Sequence, residues 1–287
     1  MKKKMTPYLL LVPQLILGAI FIIGLGTGII QSLGVIPAFG LTEPTLDYYK
    51  EVLTRPDTLQ SLKYSLYIAF ISAVFATVIG TFLCAVLVWK NKTKGGIMRI
   101  VQVPIIVPHV VVALFVVNIL SQNGILARVC AQLGLIADQQ QFPMFVYDQN
   151  GIGVILAYLW KEIPFIIYFV LALMANINGS LGEAAVNLGA NRFQAFMKVT
   201  LPLCMNTILS GFLIVFVFAL GAYELPYILG ATKPKALPIL AYIEYTKPDL
   251  LARPYAMAIN GIIVVISLIS AVVYYILIRR STKKLAG

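Results

Sequence analysis

Ionisable side chains lie inside long apolar runs of this chain, among them His109 in VPHVV, Glu162 in LWKEIPF and Glu224 in GAYELPY. Lys161 precedes Glu162, and Tyr158, Trp160, Tyr223 and Tyr227 stand close by in sequence. Charged groups in hydrocarbon are costly, so such residues mark solute or ion paths by default. Carboxylates beside aromatic rings suit an amine, through charge pairing and cation–π contact. Plainer roles exist for each. Glu224 fits an interhelical or interfacial position, and His109 fits a hydrogen bond between helices. Lys161 offers Glu162 local charge balance, although neighbouring helical side chains diverge by about 100°. The aromatic residues also serve as packing groups or interface anchors. With one histidine, the sequence offers no Ser–His–Asp arrangement and no His-rich metal spacing, so neither catalytic nor metal-binding residues are assigned.

A second stretch, EAAVNLGANRFQAFMKVTLP at 183–202, has another character. Ser180 and Glu183 fit a capping box that would start a helix. Leu181, Ala184, Ala185 and Leu188 then share one helical face. Gly189 suits a helix C-terminus, where a left-handed residue is wanted. Asn191 and Gln194 form a second capping pair, with Phe193, Phe196, Met197 and Leu201 on a second apolar face before Pro202. Two helices this short are marginal alone and must pack on something. That surface is either the chain's own membrane part and the lipid interface, or a groove on a soluble partner.

The elements that must position these residues follow from composition. Of 287 residues 60% are hydrophobic and 11% charged, against about a quarter charged in ordinary globular chains. A large soluble fold is excluded, and the chain reads as an integral membrane protein. Six stretches reach spanning length, at about 8–32, 64–89, 100–120, 151–174, 206–229 and 256–278. They read as helices, because lipid leaves no partner for an open strand and barrel-like alternation is absent. Pro13, Pro104, Pro108, Pro164 and Pro226 within these runs predict kinks, which either merely bend a bundle or shape a central path.

The net charge of +11 follows from basic clusters at the ends of the runs rather than from a nucleic-acid surface. Lys2, Lys3, Lys4, Lys90, Lys92, Lys94, Arg99, Arg192, Lys198, Arg279, Arg280, Lys283 and Lys284 fall on one side, which the positive-inside rule makes cytoplasmic. Both termini and the 183–202 stretch are then expected in the cytoplasm. The first run, from Tyr8 to about Gln31, exceeds the roughly 7–15 residues of a signal-peptide core and is expected to be retained. Cys84, Cys130 and Cys204 lack CxxC spacing and fall at different depths, so no disulfide is expected.

Glu183-Ala184-Ala185, Gly189, Val199 and Leu201-Pro202 together resemble the EAA signature of permease subunits in binding-protein-dependent ABC importers. The resemblance extends over most of the chain, including TPYLLLVPQLIL and the position of the motif between the fourth and fifth spans. Leu188 stands where many sugar permeases have Asp. With TLPL, FALGAYELPYILG and AMAINGIIVVISLIS, that version is similar to the spermidine/putrescine branch. The resemblance implies an all-α, six-span, type I importer permease fold in a bacterial plasma (inner) membrane, as a single domain over 1–287. Residues 175–204 would form a cytoplasmic coupling loop in a cleft of an ATPase subunit. Glu183, Ala184, Ala185, Gly189, Ala190, Phe193, Leu201 and Pro202 would be its coupling residues, with Glu183 facing basic groups. Glu224, Tyr223, Glu162, Trp160 and His109 would line the substrate path. No GxxxxGK[ST] loop is present, so ATP and Mg²⁺ would sit on the partner ATPase pair and not here. Further partners would be a second, homologous but different permease, an external solute-binding protein and the bilayer, with no nucleic acid. A polyamine is the leading cargo, with thiamine, aminophosphonate, ferric ion or sugar as alternatives. Read without the resemblance, His109, Glu162 and Glu224 also admit a secondary transporter or channel. An exporter is disfavoured by the EAA pattern.

Overall fold

The computed structural model describes the backbone of residues 2–286 and the side chains of residues 9–279. Lys2, Lys3, Lys4, Arg280, Lys283 and Lys284 therefore lie outside the described side chains. Among the described residues the chain is built of helices, with only an isolated antiparallel bridge between Ile36 and Leu41. Six helical segments are long and apolar enough to cross a membrane: Leu9–Ser32, Pro56–Trp89, His109–Gln132, Ile152–Asn187, Arg192–Gly221 and Leu250–Arg279. The chain forms two compact units, Met1–Leu59 with Leu240–Val265, and Gln60–Ile239 with Ile266–Gly287.

The first unit contains α1 (Lys2–Ser32), α2 (Asp47–Thr54) and the start of a long helix that opens at Arg253. The apolar side chains of α1 are almost all exposed, which suits a rod in lipid. Its C-terminal end is tied by Tyr49, whose hydroxyl donates to Ser32 Oγ at 2.8 Å. Arg55 organises the polar end of this unit. It bonds Glu51 at 2.6 Å, lies 3.7 Å from Glu244 and stacks 4.5 Å from the Tyr255 ring. Tyr255 also donates to Glu51 at 2.7 Å.

The second unit carries the candidate sites. Its long helices are α3 (Pro56–Trp89, from Gln60 onward), α7 (Ile152–Ile177) and α10 (Leu201–Gly221). Lipid supplies no hydrophobic drive between helices, so close approach over small residues does the work. A methyl group on Gly80 of α3 would stand 2.8 Å from Ile166 Cβ of α7, and one on Gly211 of α10 would stand 2.9 Å from Ile166 Cδ1. Ala69, Ala73 and Ala76 continue the buried face of α3, and Val215, Ala219 and Leu220 that of α10.

Two apolar runs are each cut into two helices. The run 100–120 divides at Val107–Pro108 into α4 (Gly96–Ile106) and α5 (His109–Leu120). A proline removes an amide and pushes the preceding residue out of the helical region, and Val107 has ψ 128°. The run 206–229 divides at Ala222, with ψ 136°, into α10 and a short helix, Glu224–Leu229. Pro164, by contrast, lies inside an unbroken α7.

The Arg55 cluster has a pH signature. The bonds from Arg55 and then Tyr255 hold the Glu51 carboxyl below its ordinary value of 4.5. A depressed carboxyl stabilises the fold above that value and stops doing so as pH falls through its folded pKa. Amide exchange at residues 47–55, corrected for intrinsic rate, is expected to be level from neutrality to about pH 5 and to rise below it. Glu51→Gln should raise exchange at neutral pH and flatten the acid response.

Candidate functional site

The first candidate site is the turn joining α7 to α10. The helix of α7 does not stop at Ser180. It passes through a wide turn at Asn178–Gly182 straight into α8 (Glu183–Asn187). The Ser180 hydroxyl donates to the Asn176 carbonyl at 2.8 Å, and Gly182 before α8 is itself helical. The expected Ser180–Glu183 capping box is therefore absent: with no helix start there, no free amide needs a cap. Glu183 sits mid-helix with an exposed side chain.

The end of α8 and the start of α9 (Arg192–Ala195) match the sequence reading. Gly189 has φ +97°, a conformation that costs other residues about 1–2 kcal/mol. Its amide and that of Ala190 close back on Val186 and Ala185 at 2.9 and 3.1 Å. Asn191 Oδ1 accepts from the Gln194 amide at 2.8 Å, while Gln194 Oε1 accepts from the Asn191 amide at 3.1 Å. The chain then winds through Phe196–Thr200 into α10, with Pro202 in its first turn.

The apolar side chains of this turn divide into two sets. Leu181, Val186, Leu188, Phe193 and Met197 are exposed, Leu188 by 90% and Phe193 by 63%. Phe196 is instead buried, edge-on to Trp89 at 4.9 Å between ring centres. Gly182 lets the two strokes of the loop cross, since a methyl there would be 3.3 Å from Thr200 Oγ1. A groove of about 570 Å³ opens beside the turn, lined by Trp89, Asn91, Gly182, Glu183, Asn187 and Phe193 among others. Ala184 is exposed, and Ala185, Ala190, Leu201 and Pro202 are partly so. Trp89, Asn91 and Gly182 escaped the sequence reading. The available signal was Trp89 at the end of a run, directly before the basic cluster.

The second candidate site lies at the two helix breaks. Lys161 of α7 reaches the carbonyl of Val107, which the Pro108 break frees, at 2.5 Å. His109, the first residue of α5, places Nδ1 3.7 Å from Glu224 Oε2, within ion-pair range when the ring is protonated. Its ring lies 5.4 Å from that of Phe218. Glu224 opens α11 (Glu224–Leu229), with its side chain 55% exposed. Tyr223 and Tyr227 stack at 4.9 Å beside it, and Trp160 is exposed on α7.

Glu162 does not join this group. It is 4% exposed, and neither carboxylate oxygen has a hydrogen-bond partner among the described residues. The expected balance between Lys161 and Glu162 is thus corrected. The two side chains diverge around α7, and Lys161 satisfies a broken backbone instead. Tyr158 is fully buried and donates to the Ala219 carbonyl at 3.4 Å. His109, Lys161, Glu224 and the Tyr223–Tyr227 pair form the polar group, while Glu162 and Tyr158 belong to the interior.

Residues 76–283 match the family described as binding-protein-dependent transport system inner membrane component. The chain belongs to this family. It is a permease subunit of an ABC importer, a multi-pass protein of the bacterial inner membrane and not the ATP-hydrolysing chain. Among its relatives, the sulfate transport system permease protein CysT of Salmonella typhimurium is 26% identical, covering 80% of this chain and 79% of that one. A probable molybdenum ABC transporter permease protein of Haloferax volcanii is 26% identical, covering 74% of each chain. These names lend no support to the spermidine/putrescine branch. A bacterial ABC transporter involved in import of the acidic polysaccharide alginate shares the fold. Its TM-score is 0.76 at 23% identity, over 97% of this chain and 96% of that one.

Gly189→Pro should break the turn, because proline cannot adopt φ +97° and removes the amide bonded to Val186. The expected outcome is uptake reduced at least about tenfold, ATP hydrolysis without transport, and unchanged membrane insertion. Asn191→Ala removes one cap, worth ~1 kcal/mol, and should reduce uptake less. Paired uptake and hydrolysis rates on reconstituted complexes check both.

Proposed function

We propose that the chain acts as one permease domain enclosing half of a solute path, with residues 175–204 as its cytoplasmic coupling loop. Two ATPase subunits carrying ATP and Mg²⁺ would receive that loop, a second homologous but different permease would complete the path, and an external binding protein would deliver cargo. The observation that carries the coupling role is the exposure of Leu188 and Phe193 on either side of the Gly189 turn. Large apolar groups on a polar-flanked turn fit a groove on a partner, as helix-in-groove docking requires. α9 is already capped and the turn already bent at Gly189, so docking has little to order.

The cargo we propose is a small oxyanion such as sulfate. The relatives named for sulfate and molybdenum support this choice. So does Lys161, a cation kept at a helix break beside His109. A cationic cargo would need acidic groups on the path, and Glu162 is enclosed in the helix core. Glu224 with the stacked Tyr223 and Tyr227 is what remains for a polyamine.

The test uses the complete complex in liposomes with its own binding protein. ATP-dependent uptake of radiolabelled sulfate, unaffected by excess spermidine, is expected. Uptake of spermidine and not sulfate would overturn the cargo. Leu188→Glu with Phe193→Glu should reduce co-purifying ATPase by about tenfold or more, and full retention would overturn the coupling role.

A further inference from the structure

The segments 33–59 and 240–265 carry the basic residues Lys50, Arg55, Lys247 and Arg253. All but the last hold a carboxylate. Lys50 pairs with Asp47 at 3.1 Å, Arg55 with Glu51 at 2.6 Å and Lys247 with Glu244 at 2.8 Å. Arg253 has no carboxylate within ion-pair range among the described residues, and its Nε is covered without an acceptor. The acid nearest to it in sequence, Asp249, accepts from the Leu251 amide at 2.9 Å and caps the turn Leu250–Ala252. Arg253 is held by rings instead. Its Cζ lies 4.9 Å from the centre of the Tyr245 ring and 5.5 Å from that of Phe39. Rings engage a guanidinium through its flat face and leave its in-plane N–H groups for an acceptor. A covered donor without an acceptor is costly. A fork positioned in this way and left without an acid has room for one from outside the chain.

We infer that Arg253, held by Tyr245 and Phe39, receives a surface carboxylate of the external solute-binding protein when that protein docks. This rests on the partner proposed above. The order of the spans agrees with it. Phe39 lies between the first and second spans, Tyr245 between the fifth and sixth, and Arg253 at the start of the sixth. The Gly189 turn lies between the fourth and fifth, so alternation of spans puts Arg253 on the face opposite that turn. The surroundings suit a protein partner. Tyr245 is exposed, as is Tyr242 one turn earlier, and so are Leu250 and Leu251 in the turn that leads into Arg253. Arginine and tyrosine are the residues that anchor the centres of protein interfaces. A planar carboxylate meets the guanidinium fork in two parallel bonds, which sets orientation as well as attraction. Arg55 is not open to the same role, since Glu51 and the Tyr255 ring already engage it.

The test is the affinity of the purified binding protein for the complete transporter in nanodiscs. If the wild-type transporter does not bind it, the partner reading falls and the inference with it. Where the wild type binds, Arg253→Met should weaken binding about tenfold or more. Unchanged ATP hydrolysis without binding protein marks an intact fold. Arg253→Lys keeps the charge and loses the fork, so it should also weaken binding, and it serves as the test if Arg253→Met does not assemble. Arg253→Glu should regain affinity with one acidic-to-arginine variant of the binding protein, a rescue that a merely structural role would not give. Wild-type affinity in these variants, or no rescue across the surface acids of the binding protein, overturns the inference and leaves the partner standing. The loss in Arg253→Met should be the same in phosphatidylcholine alone as with phosphatidylglycerol present. A loss that disappears in phosphatidylcholine assigns Arg253 to a lipid headgroup and overturns the inference.

Discussion

A backbone carbonyl freed inside a membrane must find a donor, and the bond from Lys161 to Val107 meets that demand. Much of the polar architecture of this permease depends on it. Pro108 breaks the helix, and the break sets His109 at the head of α5. The freed carbonyl gives the Lys161 ammonium a seat that does not need an acidic partner. Glu224 comes to the same place through a second break at Ala222. Neither break would be stable facing lipid alone, and the two breaks bring His109 and Glu224 within 3.7 Å of one another.

Packing explains why so few polar groups are enough. Gly80, Gly211 and the alanine face of α3 let α3, α7 and α10 approach closely, fixing the side chains of α7 in direction. On that helix Lys161 and Glu162 are neighbours in sequence and strangers in space. One serves the break, and the other is sealed beside Tyr158 in the core. The same rigid α7 continues without a cap into α8, so displacement of the loop is displacement of the helix that carries Lys161. The proposed coupling loop and the proposed cargo site are ends of one continuous rod.

That six helices reach spanning length was legible because length and apolarity need only composition, whereas the third and fifth, expected at 100–120 and 206–229, run over His109–Gln132 and Arg192–Gly221 because helix breaks fall inside those apolar runs. Gly189 and the Asn191–Gln194 pair were legible because turn and cap chemistry is local. The Ser180–Glu183 cap was misread for the same local reason. The pattern fits a helix start, but nothing in it reveals that the preceding helix fails to stop. Phe196 and Phe193 look alike in sequence, and only the position of Trp89 separates a buried ring from an exposed one. The role of Lys161 was invisible, since its partner is a carbonyl freed 54 positions earlier. Polyamine cargo rests on the resemblance to the spermidine/putrescine branch, with the carboxylates and aromatic rings in agreement; the sulfate and molybdenum relatives do not support the branch, and Glu162 is enclosed in the helix core.

The central claim is that the bent pair α8–α9 is the handle by which a separate motor moves these helices. A photo-crosslinking residue placed at Phe193, in the assembled complex within membranes, measures this directly, with the exposed Leu135 as the control position. The account predicts a covalent adduct to the ATPase subunit from position 193 and none from position 135. An adduct from position 193 to the external binding protein, or adducts to the ATPase from position 135 alone, would contradict it.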